Sequence, residues 1–117
     1  MGICQGRGRQ KEMTINQWVK RIHRWAKIKG WLDVKRSAPE CHMLMVTEIA
    51  EATEEVRKKS PPVYGDVKPE GEAIELADCV IRIMEYFGKN GWNLEEALRL
   101  KMAYNDSRPY RHGNKRY

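Results

Sequence analysis

The sequence lacks any long hydrophobic segment. No apolar run in its 117 residues approaches the roughly 18 residues that a membrane-spanning helix requires, and no stretch has the apolar core of a secretory signal. Cysteine is also scarce, since Cys4, Cys41 and Cys79 are odd in number and widely separated. This spacing argues against a disulfide framework and against a cysteine-based zinc site. We therefore expect a cytoplasmic protein with reduced thiols and no membrane partner.

Outside its two ends, the sequence has almost no excess of positive or negative charge. The formal net charge is +6, but residues 1–11 hold three basic side chains and no acid, and residues 107–117 hold four basic side chains and no acid. The middle of the chain therefore contains 15 of the 22 basic residues and all 16 acidic residues, which is a net charge of −1. A near-neutral middle argues against nucleic acid as the partner.

Hydrophobic periodicity predicts helices. Thr14 and Gln17 form a capping box for a first helix with apolar residues at three- and four-residue spacing, and Gly30 ends it. Pro39 suits the first turn of a second helix, which runs to about residue 59 and is stopped by Pro61 and the proline after it.

Two further helices are predicted at residues 71–89 and 94–105, and no segment alternates as a strand does. We divide the chain into a flexible N-terminal segment (1–12), a helical domain (13–106) and a basic C-terminal tail (107–117). The predicted fold is all-α, a bundle of four to five helices. A domain of this size has a poor surface-to-volume ratio, so we expect oligomerisation to complete the bundle.

Two acidic pairs suggest a metal site. Glu48 and Glu51 lie at i and i+3 of the second helix, and Glu75 and Asp78 lie at i and i+3 of the third. Such residues are neighbours on one helix face, about 5–6 Å apart. Four converging carboxylates repel one another unless a cation neutralises them, and Mg²⁺ prefers hard oxygen ligands. We predict that all four bind Mg²⁺, with Mn²⁺ as a possible substitute.

Each pair alone also has an ordinary explanation. Glu-x-x-Glu is common on solvated helices, and Asp78 has Arg82 at i+4 as a potential salt-bridge partner. No histidine lies at i+3 or i+4 from any of the four acids, which argues against a di-iron carboxylate site. The paired arrangement on successive helices is more specific than either half.

The order Glu-x-x-Glu, loop, Glu-x-x-Asp resembles the signature of MazG-type, all-α nucleoside triphosphate pyrophosphohydrolases. Glu48, Glu51, Glu75 and Asp78 match it, and the stretches 68–82 and 101–113 also resemble small MazG-like proteins, so that the likeness covers residues 15–116. The resemblance implies Mg²⁺-dependent hydrolysis of a (deoxy)nucleoside triphosphate to the monophosphate and pyrophosphate. It also implies a homodimer or homotetramer.

The resemblance further implies that Lys101 and Asn105 contact the substrate. With Arg108 they lie at i, i+4 and i+7, a stripe suited to phosphate, although a solvated charged helix end is the ordinary alternative. His23, off the apolar stripe of the first helix, is a weaker candidate for substrate contact. Glu48 or Glu51 is predicted to orient or deprotonate the attacking water, and the sequence leaves that choice open.

Two other functions fit parts of the sequence. A helical module could bind nucleic acid through its basic termini, in which case affinity would fall steeply with salt. A non-catalytic helical oligomer would bind no metal and would tolerate changes at Glu51 and Asp78.

Overall fold

The computed structural model describes residues 12–59, 61–63 and 68–116. Within these ranges the chain forms helices and no strand, as predicted. Val63 and Glu70 form an isolated antiparallel bridge through two backbone hydrogen bonds. The helices are α1 (Ile15–Ile28), α2 (Ala38–Lys58), α3 (Glu72–Asn90), α4 (Leu94–Ser107) and the four-residue α5 (Arg111–Asn114), with a 3-10 turn at Trp31–Asp33. No helix among these residues is both long enough and apolar enough to cross a bilayer. The predicted N-terminal segment lies outside the described residues except for Glu12.

Side-chain caps fix where the first two helices begin. The Thr14 hydroxyl accepts from the Gln17 amide at 3.1 Å, and the Thr14 amide donates to the Gln17 side chain at 2.8 Å. Ser37 and Glu40 form a second capping box before α2, so this helix begins one residue before Pro39. Gly30 ends α1 with a φ of +81°, a left-handed conformation that glycine adopts without steric cost.

Helix α3 lies at the centre of the fold and packs against both α1 and α2. The buried apolar residues are few and mostly small: Val19, Ile22, Ala26, Ala52 and Cys79. None of the larger side chains among the described residues is completely buried. The core of a single chain is therefore thin, and most large apolar side chains keep contact with solvent.

Helix α4 is held at its beginning. The Asn16 side chain donates to the Asn93 side-chain oxygen at 2.8 Å and accepts from the Glu95 amide at 3.2 Å, which ties α1 to the start of α4. Trp92 packs edge-on against Tyr86 and Phe87, with both ring centroids 5.6 Å away. These contacts fix the turn between α3 and α4. Farther along α4, large apolar side chains are about half exposed, namely Leu98, Leu100, Met102 and Tyr104.

The contact between α1 and α3 is closest at Gly88. A Cβ at this position would lie 2.7 Å from the His23 Cβ, too close for two carbon atoms. Helix propensity alone would make Gly88→Ala stabilising by about 1 kcal/mol. We expect the steric conflict to dominate and the variant to lose about 1–3 kcal/mol of unfolding free energy, measured by urea denaturation at fixed protein concentration. A variant as stable as the parent would contradict this packing. His23→Ala, which keeps the Cβ that makes the closest contact, should restore little of the lost stability in the Gly88→Ala background.

Candidate metal centre and adjoining pockets

Helices α2 and α3 bring three of the four predicted ligands together. Glu48, Glu51 and Glu75 each place a carboxylate oxygen within 4.8 Å of the others, and we call these three residues the carboxylate cluster. Glu48 is buried, with 7% of its surface exposed, while Glu51 is exposed and Glu75 is half-buried. Burial of a carboxylate is costly unless a partner compensates its charge. The cluster therefore needs such a partner.

Asp78 lies beside the cluster, one helical turn after Glu75. Burial and the nearby charge of Glu48 raise the pKa of Asp78. The positive charges of Arg82 and Lys68 and a hydrogen bond with Glu75 lower this pKa in part. Asp78 also lines the same hollow as Glu48. Asp78, the fourth predicted ligand, therefore interacts electrostatically with Glu48 and Glu75, although its oxygens are not among those that lie within 4.8 Å of one another.

The pKa of Glu75 is raised by its burial and by the negative charges around it. The pKa of Glu75 is raised to about 7, chiefly by burial and further by hydrogen bonding to Glu51 and by the charges of Glu51, Asp78 and Glu48. A proton on Glu75 relieves the repulsion in part, because a neutral carboxyl can donate to the Glu51 carboxylate.

Arg82 supplies the one direct counter-charge to Glu48 among the described residues. Its Nε donates to the Glu48 Oε1 at 2.8 Å. The sequence suggested Asp78 as the partner of Arg82 because of their i, i+4 spacing. The structure instead pairs Arg82 with the buried Glu48 on the neighbouring helix, where a guanidinium offsets more of the cost of desolvation.

A divalent cation fits this donor set. Oxygens on opposite sides of Mg²⁺ at about 2.1 Å lie about 4 Å apart, so the spacing of up to 4.8 Å in the cluster requires only small side-chain rotations. All the donors are hard carboxylate oxygens, the ligand type that Mg²⁺ and Mn²⁺ prefer. One arginine leaves several of the four carboxylates uncompensated, which gives a cation a clear electrostatic role.

Two hollows flank the cluster. On one side, a hollow of about 400 Å³ is lined by acidic and basic side chains: Glu51, Glu54, Glu55, Lys58, Lys68, Glu70 and Glu75. On the other side lies a hollow of about 180 Å³, which we call the tryptophan pocket. It is lined by Trp25, Trp31, Arg36, Glu48, Asp78, Ile81, Arg82 and Glu85. Sequence reasoning missed Arg36 and Lys68, which loops bring to the site. It also missed Lys58 and Glu85, although each lies seven residues after a predicted ligand on the same helix and therefore on the same face.

The predicted substrate-binding residues are not brought to the cluster within one chain. Lys101 and Arg108 lie over the Tyr104 ring, with their charged groups 5.1 and 5.6 Å from its centroid. The Asn105 side chain lies near the Met102 sulfur, 4.0 Å away. His23 packs against Gly88, and its buried Nδ1 has no hydrogen-bond partner among the described residues. None of these residues lines a hollow with the carboxylate cluster.

The raised pKa of Glu75 predicts opposite effects of pH on stability and on metal binding. The folded protein holds a proton on Glu75 between the ordinary value of 4.5 and about 7, where the unfolded chain has lost it. Stability of the metal-free protein is therefore highest below the ordinary pKa and falls as the pH rises towards 7. Binding of Mg²⁺ must displace this proton, so its apparent affinity rises over the same range.

Thermal unfolding with and without Mg²⁺ as a function of pH measures both effects. Glu75→Gln should flatten the pH dependence of the metal-free protein. Glu72→Gln, a matched change on an exposed part of α3, should leave it in place. Metal-free stability that rises with pH through this range would contradict the assignment.

Comparisons with known proteins give no further identification. No protein-family model matches the chain, and no similar curated protein or solved structure is found. The MazG-type assignment consequently remains a prediction, which depends on the residues described above.

Proposed function

We propose that this chain is a metal-dependent nucleoside triphosphate pyrophosphohydrolase of the MazG type. The observation that supports it best is the convergence of Glu48, Glu51 and Glu75 from two helices, with Glu48 buried. A cluster of carboxylates with too few basic partners is poorly suited to stabilising a fold. It is well suited to holding Mg²⁺ next to a phosphate chain.

The roles of the protein residues follow from their positions. Glu48, Glu51, Glu75 and Asp78 would hold the metal, which when bound neutralises phosphate charge and polarises phosphorus. Lys58 and Lys68 line the hollow that opens beside Glu51 and Glu75. They are placed to attract the negatively charged phosphates of a substrate into that hollow.

Of the two candidates for water activation, Glu51 has the more suitable surroundings. Glu48 is buried and hydrogen-bonded to Arg82, which holds its carboxylate in place. Glu51 is exposed and faces the hollow that contains Lys58 and Lys68. We assign Glu51 to orient and deprotonate the water that attacks the α-phosphorus, with Glu48 as the anchoring ligand.

We further propose that a second copy of the chain completes the fold. A groove of about 580 Å³ between α1 and α3 is lined by Trp18, Arg21, Ile22, Trp25, Ala77, Val80, Ile81 and Met84. No large side chain among the described residues is fully buried, and α4 carries four half-exposed apolar side chains. A chain with so thin a core gains stability from covering these surfaces.

A second copy would also explain how the predicted substrate-binding residues of α4 reach a substrate. Lys101 and Asn105 share no hollow with the cluster of their own chain. In a homo-oligomer, α4 packed on a neighbouring copy would carry both residues towards that copy's substrate.

The direct test of activity is incubation of the protein with each dNTP and NTP in the presence of Mg²⁺ or Mn²⁺. The proposed function predicts release of pyrophosphate that stops when a chelator is added. No metal-dependent pyrophosphate from any nucleotide would contradict it. Salt-sensitive binding to nucleic acid without such activity would instead favour the nucleic-acid-binding alternative.

A further inference from the structure

The tryptophan pocket shares two residues with the predicted metal ligands. Glu48 and Asp78 line the pocket and also belong to the predicted metal ligands. Asp78 lies one helical turn before Arg82 on α3, and Glu85 follows on the same side. A nucleotide with its phosphates at the metal could therefore extend its base into this pocket.

The pocket has flat aromatic walls. Trp25 and Trp31 are 44% and 49% exposed, and Ile81 of α3 adds an apolar surface to the pocket. Indole rings offer large flat faces on which nucleobases stack. Trp25 also lines the α1–α3 groove, so a second copy packed there would support this wall from behind.

Besides Glu48, Asp78 and Arg82, the pocket is lined by a carboxylate and a guanidinium that have no hydrogen-bond partner among the described residues. Glu85 and Arg36 are both half-buried and both line the pocket. Neither side chain makes a hydrogen bond or a salt bridge within the part of the chain that the structure describes, although the charge of Arg36 acts on the exposed Glu40. Half-buried charged groups are normally satisfied by a partner. Their position facing a hollow indicates that a ligand supplies it.

These groups together select one base. A carboxylate only accepts hydrogen bonds, and it accepts two from adjacent N–H groups. Guanine presents its N1–H and its amino group side by side, and its O6 and N7 are the preferred acceptors for arginine. Adenine and cytosine offer one amino group next to an acceptor nitrogen, and thymine and uracil place carbonyl oxygens on both sides of a single N–H.

We propose that the tryptophan pocket binds guanine. In this arrangement Trp25 and Trp31 stack on the base, Glu85 accepts from N1–H and the amino group, and Arg36 donates to O6 or N7. The position of the phosphates rests on the proposed function. The recognition of the base rests on the pocket alone.

The test uses nucleosides, which carry no phosphate to interact with the carboxylates or a metal. Deoxyguanosine, deoxyadenosine, deoxycytidine and thymidine are titrated into the metal-free protein while the indole N–H signals are followed by NMR. Deoxyguanosine should bind most tightly and should shift the signals of Trp25 and Trp31. Loss of one paired contact to a base corresponds to about a tenfold to hundredfold change in affinity, so Glu85→Gln should weaken deoxyguanosine binding by that factor.

Two further variants control the experiment. Glu72→Gln makes the same change on α3 outside every hollow named here and should bind deoxyguanosine as the parent does. Arg36→Met removes the other recognition group without touching α3 and should also weaken binding, so the inference can be tested even if Glu85→Gln does not fold. Equal binding of all four nucleosides, or deoxyguanosine binding that survives both Glu85→Gln and Arg36→Met, would overturn it.

The outcomes also separate this inference from the proposed function. Metal-dependent pyrophosphate release with no preference for guanine nucleotides would overturn the guanine pocket and leave the proposed function standing. Selective deoxyguanosine binding by a protein without such activity would support the pocket and overturn the proposed function.

Discussion

Glu51→Gln should lower metal-dependent pyrophosphate release by at least about a hundredfold. Bound metal contributes several kcal/mol to stabilising the transition state, and about 1.4 kcal/mol corresponds to each factor of ten in rate. The glutamine has nearly the same shape but loses the negative charge that attracts the metal and the basicity that activates water. Because Glu51 is exposed and Glu48 is not, Glu51→Gln should fold normally. The measurement is the initial rate of pyrophosphate formation over a range of Mg²⁺ concentrations.

The matched control for Glu51→Gln is Glu72→Gln, because Glu72 is exposed on α3 outside the cluster. Its rate should equal that of the parent. Asp78→Asn tests the fourth predicted ligand and should also lose activity, with a weaker dependence on pH because residue 78 no longer titrates. Full activity in both Glu51→Gln and Asp78→Asn would contradict the assigned site.

Val80→Lys should convert the proposed oligomer to monomers. Val80 is 47% exposed in a single chain and lines the apolar groove between α1 and α3. Burying an unpaired ammonium in an interface costs several kcal/mol, which weakens association by at least about a hundredfold. We expect light scattering to show the monomer mass, the melting temperature to fall, and activity to be lost with Lys101 and Asn105 of the second copy.

Val56→Lys is the matched control, since Val56 has a similar exposed fraction of 54% and lines none of the hollows described. It should remain oligomeric. Val80→Lys that keeps the parent's mass and melting temperature would contradict the groove as the interface. A parent protein that is monomeric at every concentration would contradict oligomerisation itself.

Local sequence signals predicted the secondary structure well. The Thr14 and Gln17 capping box, Gly30 and the prolines depend only on neighbouring residues, so their effects can be inferred without a fold. Pro39 indicates the start of α2 only approximately, whereas the capping box of Ser37 and Glu40 marks the boundary itself and is equally local in the sequence.

The candidate site was predictable where it depends on helical periodicity. The i, i+3 spacing places Glu48 beside Glu51 and Glu75 beside Asp78, and one packing contact between α2 and α3 then joins the pairs. The Arg82–Glu48 hydrogen bond depends on the relative rotation of the two helices, which no sequence spacing specifies. The spacing pointed to Asp78 because an i+4 neighbour is the only partner that a single helix reveals.

Residues on separate elements were the hardest to assign. Arg36 precedes α2, while Trp25 and Glu85 belong to α1 and α3, and only the packing of the three elements gathers them in one pocket. For Lys101 and Asn105 the helical spacing is easy to see in the sequence, but α4 in a single chain does not place them at the cluster. The role proposed for them therefore requires the proposed interface between copies.

The most direct test of the central claim is hydrolysis of dGTP with Mg²⁺ in ¹⁸O-labelled water, followed by mass spectrometry of the products. Attack on the α-phosphorus places one ¹⁸O atom in dGMP and leaves the pyrophosphate unlabelled. We predict this pattern, with equal amounts of the two products and none without metal. Formation of dGDP and labelled inorganic phosphate, or product formation that does not require a divalent cation, would contradict the account.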